Sequence, residues 1–417
     1  MSRLLVAVAA GATLAACVAC GGDDETAVTP SESASLPSAK DTSEDTDGTL
    51  LAIDARTGQE LWRVRPPGGA VGQPTAADGQ VFVVTAKNCN SLEGTLVAYD
   101  AATGEEQWRA QSGRGCFSSP SARRGVVVAW GEKSVQGLDA RTGKSKWSAE
   151  LRERSDLTLI DGDNLVVVVE FGPDEARFRA LDRFTGEELW VTEMTSAGRF
   201  SGALASDTRA FFLSAPFGGQ AGTSGLTAVD LANGEQRWVA NVGGEGTYDV
   251  GLATNDDTAF VRFGEYEPNY SGGAPWREGS NKSTIAAFDP RTGEERWRHQ
   301  EIGDPFATDV VVADHNVYVN GLGESAGTLT ALDAGSGAVR WQISPGAGFQ
   351  GVVAGDGIVA LTVSEELRGR VLAFDATDGS RLWEMEVPPS HETAHATAVS
   401  DGVVYVSIWG EVPAFGD

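Results

Sequence analysis

An all-β fold, an eight-bladed propeller of four-stranded antiparallel blades, is predicted by three features of this 417-residue sequence: a unit repeated eight times, the near-regular spacing of its tryptophans, and Val-rich runs divided by glycine turns. In every unit a glycine follows an aspartate by four residues and a tryptophan follows the glycine by four. The copies are Asp54, Gly58, Trp62; Asp100, Gly104, Trp108; Asp139, Gly143, Trp147; Asp182, Gly186, Trp190; Asp230, Gly234, Trp238; Asp289, Gly293, Trp297; Asp333, Gly337, Trp341; and Asp375, Gly379, Trp383. The Trp-to-Trp spacings of 46, 39, 43, 48, 59, 44 and 42 match the blade length of a propeller, the long ones holding insertions.

Residues 1–16 read as an export signal. Arg3 is a minimal charged region, and the apolar run from Leu4 to Leu14 is too short to span a bilayer. Leu14-Ala15-Ala16-Cys17 resembles the lipobox of bacterial lipoproteins, which makes Cys17 the expected lipid attachment site and mature N-terminus, with Cys20 as the alternative. Residues 17–47 are rich in Ser, Thr, Pro and acids and cannot bury enough apolar surface to fold. They form a tether that spans some tens of ångströms on random-coil scaling.

The propeller is expected over residues 48–410, with 411–417 as a tail. Each unit reads as a strand, a tight turn at Asp-x-x-Thr-Gly, and a strand carrying the tryptophan. The aspartate accepts backbone N–H groups across the turn, and the glycine supplies the positive φ that closes it. One tryptophan per blade buries roughly 150 to 250 Å2, and its indole N–H can reach a neighbouring backbone carbonyl, so these rings are expected to clamp blade to blade. These repeat residues are scaffold, not a site.

A looser repeat precedes each unit, as in Ala77-Asp78-Gly79-Gln80-Val81-Phe82 and Ile160-Asp161-Gly162-Asp163-Asn164-Leu165, and again near Asp207, Asp256, Asp314, Asp356 and Asp401. These are the inner hairpins. With strands lettered A to D outward, Asp-x-x-Thr-Gly joins C to D. The first tryptophan unit has no A–B hairpin before it, and the last hairpin, Ala394 to Trp409, has no C–D pair after it. The two are expected to form one composite blade that joins the N- and C-terminal ends and removes the open edge.

The units resemble the PQQ-type propeller repeat of quinoprotein alcohol dehydrogenases and of the lipoprotein subunit of the outer-membrane β-barrel assembly machinery. The resemblance spans residues 48 to about 410 and implies the fold, but the Asp, Gly and Trp that carry it say little about function. It implies, for the dehydrogenases, a quinone stacked on a vicinal disulfide and acidic side chains around calcium. This sequence has no adjacent cysteine pair and no Cys-x-x-Cys-His for haem. PQQ and calcium are therefore not expected as cofactors.

The remaining cysteines, Cys89 and Cys116, fall in a B–C loop and just before the next strand A, on the same face of neighbouring blades. A disulfide between them suits an oxidising compartment, with two reduced thiols the alternative. His391-Glu392-Thr393-Ala394-His395 has the His-Glu-x-x-His pattern of zinc proteases, which requires a helix. This segment follows Pro388-Pro389 and runs into a strand, where four residues at about 3.3 Å each hold the imidazoles some 13 Å apart. No metal site is expected, and no catalytic constellation is found. The acids of Asn255-Asp256-Asp257 read as turn chemistry.

The formal charge of -27 argues against nucleic acid as a partner and against adsorption to anionic lipid. The A–B and C–D turns are short and uniform, whereas the B–C loops vary, which marks the B–C face as the working face. Its largest feature is the insertion from Gly264 to Ser283, carrying Glu265, Tyr266, Tyr270, Trp276 and Arg277; the loop of Phe217 is second. Tyr, Trp and Arg are enriched in interface hot spots, and a solvated, self-packed aromatic loop is the other reading of the same residues. The expected function is a lipid-anchored, extracytoplasmic scaffold that binds an envelope protein, monomeric and touching the membrane only through its lipid. The alternatives are a binder of a small molecule or glycan in the central channel and, third, a PQQ-dependent dehydrogenase. The acidic tether and scarcity of lysine point to the outer leaflet of a Gram-positive cytoplasmic membrane ahead of an outer membrane.

Overall fold

The computed structural model describes residues 48–68, 70–86, 94–112, 120–130, 134–151, 156–171, 175–195, 199–206, 208–215, 224–243, 247–255, 257–265, 282–302, 310–321, 327–346, 349–365, 368–387 and 395–408. Strands A to D are Thr75–Ala77, Gln80–Ala86, Gly94–Asp100 and Glu106–Ser112 in blade 1. In blade 2 they are Ser121–Arg123, Val126–Trp130, Ser134–Asp139 and Ser145–Glu150, and in blade 3 Asp156–Asp161, Leu165–Phe171, Glu175–Asp182 and Glu188–Thr195. Blade 4 comprises Arg199–Ala205, Arg209–Ala215, Gly225–Asp230 and Gln236–Asn241, and blade 5 Thr247–Thr254, Ala259–Glu265, Lys282–Phe288 and Glu295–Ile302. Blade 6 comprises Val310–Ala313, Asn316–Asn320, Leu329–Asp333 and Val339–Ile343, and blade 7 Phe349–Gly355, Ile358–Glu365, Arg368–Asp375 and Arg381–Val387. Each blade is one antiparallel sheet, giving an eight-bladed β-propeller.

Blade 8 is composite. Its strands A and B, His395–Ser400 and Val403–Ile408, pair with strands C and D from the other end of the sequence, Thr49–Asp54 and Glu60–Val64. The register runs from Thr49 opposite Ile408 to Asp54 opposite Val403. Blade 1 departs from the pattern because its strand A is split: Ala70–Val71 and Thr75–Ala77 both pair with strand B. Pro74 lies in the gap, where the missing N–H removes a ladder donor.

The core is a ring of eight interfaces. Every buried cluster is shared by two adjacent blades, as where Phe211 and Leu213 of blade 4 meet Val261 and Phe263 of blade 5, and where Leu51 and Val404 of blade 8 meet Val353 and Val371 of blade 7. The B strands are almost continuously apolar because both of their faces are buried, so period-two alternation disappears there. The D strands alternate, with the tryptophan turned in and its neighbours turned out. In each C–D pair the register shifts at the residue before the tryptophan, a bulge that recurs in all eight blades.

Candidate functional site

The two faces of the ring are built differently, and the A–B and C–D turns explain the first. The carboxylate of Asp54 accepts the N–H groups of Arg56 and Thr57 and the Thr57 hydroxyl, at 3.2, 2.8 and 2.7 Å. These bonds, the Thr57 hydroxyl foremost, hold Asp54 below the usual carboxylate range. Asp289 and Asp333 are pulled down to about 2, chiefly by hydrogen bonds from Arg296 and Arg340. The glycine that closes each of these turns sits at positive φ, between 67° and 76°. It has a second reason to be glycine: a Cβ on Gly186 would lie 2.6 Å from the ring of Trp147, the tryptophan of the preceding blade.

All eight tryptophans make this contact and then donate to the backbone one blade on. The indole N–H of Trp62 reaches the carbonyl of Ala101 at 2.9 Å, that of Trp190 the carbonyl of Leu231 at 2.8 Å, and that of Trp383 the carbonyl of Ala55 at 2.8 Å, across the composite blade. The other five reach Ala140, Arg183, Pro290, Ala334 and Ala376 in the same way.

An inner ring of staples repeats the logic. Asp78, Asp314, Asp356 and Asp401 occupy the left-handed region in their A–B turns. The carboxylates of Asp78, Asp314 and Asp356 accept the N–H of Gly125, Gly357 and Gly402 in the next blade's turn, at 3.0, 3.0 and 2.8 Å. Between blades 2 and 3 arginine replaces aspartate: Arg123 pairs with Asp163 at 2.5 Å, and Arg124 donates to Asn164. Arg183, fully buried where most other units carry alanine, donates to the Ser121 hydroxyl and the Gly162 carbonyl, both at 3.1 Å. Burial first, then Arg123 and Arg124 beside it, lowers its guanidinium to about 9.

The opposite face carries the B–C loops, the D–A connections and one end of the composite pairing. Strand C of blade 8 begins at Thr49 opposite Ile408, the last residue of strand B, so this end of the pairing lies on the B–C side. In blade 5 the ladder ends with Glu265 opposite Lys282. The insertion outside the strands is therefore 266–281, and the expected loop Gly264 to Ser283 is corrected at both ends, because Gly264 and Glu265 continue strand B while Lys282 and Ser283 begin strand C. At its base Arg262, fully buried, donates to the hydroxyl of Ser283 at 2.8 Å. On blade 3 the buried carboxylate of Glu170 lies 3.2 Å from Arg177 and 3.8 Å from Arg179.

Tyr266, Tyr270, Trp276, Arg277 and Phe217 lie outside the described residues, as do Cys17, Cys20, Cys89, Cys116 and His391. His395 opens strand A of blade 8, an extended setting. In the Asn255 turn, the side-chain carbonyl accepts the N–H groups of Asp257 and Thr258 at 3.0 and 2.8 Å. Among the described residues no three of His, Cys, Asp or Glu converge to hold a metal ion. Sequence reasoning missed the carboxylate staples and Arg183. Comparing the repeats column by column would have exposed Arg183 as the one long cation among Ala55, Ala101, Ala140, Leu231, Pro290, Ala334 and Ala376.

A family profile described as outer membrane protein assembly factor BamB matches residues 15–113, 47–199, 92–261 and 281–414. The protein of that name from Burkholderia pseudomallei (strain K96243) is 26% identical over 311 residues, covering 68% of this chain and 71% of that one. Among solved structures, the computationally designed Ika8 protein aligns with a TM-score of 0.62 at 17% identity, over 85% of this chain and 100% of its own. The quinohemoprotein alcohol dehydrogenase ADHIIG from Pseudomonas putida HK5 aligns with a TM-score of 0.50 at 15% identity, over 88% of this chain and 72% of its own. At such identities these two likenesses are of fold alone.

Proposed function

The chain belongs to the family described as outer membrane protein assembly factor BamB, and from that premise we propose that it is a non-enzymatic scaffold that binds a protein partner in the cell envelope. The carrying observation is the contrast of faces: the turns of one face are hydrogen-bonded to neighbouring blades, while the other gathers the variable loops, the 266–281 insertion and the Thr49–Ile408 end of the composite pairing. Tyr266, Tyr270, Trp276 and Arg277 supply the contact chemistry, with the Phe217 loop as a secondary candidate. Export and acylation at Cys17, or at Cys20, place the scaffold extracytoplasmically on a membrane. The Burkholderia relative is named for an outer membrane, and the preference for a Gram-positive cytoplasmic membrane draws no support from it. No PQQ or calcium enters this reading, since the sequence has no adjacent cysteine pair to form the quinone platform.

A photoreactive residue at Trp276, with a matched probe at Gln59 on the turn face, tests the reading in intact cells. Capture of one protein from Trp276 alone, lost when Tyr266 and Tyr270 become Ala, is the expected result. Equal capture from both probes, or from neither, overturns the assignment of the face. Cys17→Ser should release the protein from the membrane fraction, and release by Cys20→Ser alone would move the lipid to Cys20.

A further inference from the structure

Blade 2 reverses the charge of the ring's turn face. Its A–B turn, and its C–D turn counted up to the residue before the tryptophan, carry five cations, Arg123, Arg124, Arg141, Lys144 and Lys146, against one acid, Asp139. In the corresponding residues of every other blade acids outnumber cations. The reversal falls in two separate columns of the repeat. Arg124 takes the left-handed place that Asp78, Asp314, Asp356 and Asp401 hold in their blades. Lys144 follows the turn glycine where Glu105, Glu187, Glu235 and Glu294 follow it in blades 1, 3, 4 and 5.

Two of the five cations already hold an acid: Arg123 pairs with Asp163 at 2.5 Å, and Lys146 stands 3.8 Å from Asp139. The other three are exposed and keep their charge for solvent. Arg124 donates to the neutral amide of Asn164, Arg141 acts on Asp139 only from a distance, and Lys144 has no acid partner among the described residues. The buried Arg183 feels the same excess from below. After burial itself, the charges of Arg123 and Arg124 are what lower its guanidinium.

The segment before the ring supplies acids that can reach them. Residues 17–47, which lie outside the described residues, hold eight acids and one lysine. The run Asp23-Asp24-Glu25 begins 26 residues before Thr49, a reach of up to about 80 Å, whereas a ring of this size has a radius of gyration of about 20 Å. Asp45 and Asp47 stand within four residues of Thr49, at the B–C end of a strand that itself spans about 20 Å, and cannot cross to the turn face. We propose that the basic turns of blade 2 dock Asp23-Asp24-Glu25 of the chain's own N-terminal segment. This docking rests on the tether reading of residues 17–47 and adds a direction to it. Connection through the chain gives the acids an effective concentration on the order of 1 mM, which a foreign acidic segment has to match from solution. A second copy brings a body of formal charge -27, which repels its twin. Docked in this way, Cys17, six residues before Asp23, lies near the turn face, so a lipid on it keeps that face toward the membrane and leaves the B–C face pointing away.

The test places a photoreactive residue at Ser145, exposed beside Lys144, in the purified full chain, with a matched probe at Val339, the equivalent position of blade 6. In about 10 mM salt, Ser145 should crosslink within its own molecule to the peptide that holds residues 23–25, and Val339 should not. In about 1 M salt, where the screening length is about 3 Å, the yield should fall about fivefold or more. Arg141→Ala with Lys144→Glu gives blade 2 the residues that blade 1 has at Ala102 and Glu105, so the fold is kept, and should lower the yield about fivefold. Asp23→Asn, Asp24→Asn and Glu25→Gln together should do the same, whereas Asp45→Asn with Asp47→Asn should leave the yield unaltered. Equal capture of the segment from Val339, a yield indifferent to salt or to the blade 2 substitutions, or an equal loss from the Asp45 and Asp47 variant overturns the docking. Crosslinks from Ser145 that grow with protein concentration assign the patch to a second copy and also overturn it. Capture from Trp276 in cells survives any of these failures, so the loop-face reading stands or falls separately.

Discussion

The turn face and the loop face are made by the same eight repeats, yet one is nearly invariant around the ring and the other differs in every blade. On the turn face the bonds that matter run from one blade to the next: an indole N–H to a carbonyl, an aspartate to a glycine amide, a tryptophan ring over a glycine. A change there is felt by two blades at once. On the loop face the connections that vary leave from ladders already completed below them, as Glu265 opposite Lys282 and Ser214 opposite Gly225 show. The ring tolerates variety where its own bonds are already made, and that is where recognition can be built.

The largest effect should come from cutting the composite blade. Deleting residues 395–408 strips strands A and B from blade 8 and exposes the edge of Thr49–Asp54, with Leu50, Leu51 and Ile53 beside it, all fully buried in the intact ring. We expect loss of the cooperative thermal transition and of the near-ultraviolet signal of the tryptophans. Replacing 266–281 by Asn-Gly should keep both and shift the melting temperature by no more than about 5 °C, since surface loops change stability little. A comparable loss from both deletions would break the contrast between the faces.

Next, Gly186→Ala should cost about 2–5 kcal/mol, because it combines positive-φ strain with a clash against the Trp147 ring. Gly79 has φ +77 and open space, with nothing within 4 Å of where a Cβ would stand, so Gly79→Ala isolates the backbone strain. That strain should cost about 1–2 kcal/mol. Equal denaturant midpoints for the two variants would remove the aromatic contact from the account. Trp190→Phe keeps an aromatic ring but leaves the Leu231 carbonyl without its 2.8 Å donor, and should cost about 1–3 kcal/mol by the same measurement.

The smallest effect is the response to acid. Asp289 and Asp333 have folded values of about 2 against 3.8 for the free side chain, so the unfolded chain takes up protons first as pH falls. Their contribution is present above pH 3.8 and is lost between 3.8 and about 2. Arg296→Gln and Arg340→Gln should each lower the urea midpoint modestly near neutrality and flatten its fall in that window, so that variant and parent converge in acid, where the carboxylates are protonated. An unchanged acid limb in both variants would show that the carboxylates owe their low values to something other than these arginines.

Eight copies of Asp, Gly and Trp made the blade count and the composite closure readable, because a period survives every local variation around it. What the repeat could not convey was who touches whom. The ring of Trp147 forbids a side chain on Gly186, a residue of the next blade, and no spacing within one unit announces this. The aspartates of the inner hairpins read correctly as turn residues, but their work as acceptors for Gly125, Gly357 and Gly402 depends on neighbours more than forty positions away. The loop face was located from length variation alone, and Tyr266, Tyr270 and Trp276 rest on composition.

The pairing of Thr49 with Ile408 also sets a clock. A ribosome or translocon delivers the chain from its N-terminal end, so Thr49–Asp54 and Glu60–Val64 emerge first and wait for partners that are made last. Trp383 finds its acceptor 328 residues back, at Ala55. Until then strand Thr49–Asp54 is an apolar ribbon with an open edge, the kind of surface that holdase chaperones bind and that aggregation exploits. Closure is thus the last event in the life of a nascent molecule, and the interval before it, set by synthesis speed more than by folding speed, is when this protein most needs protection.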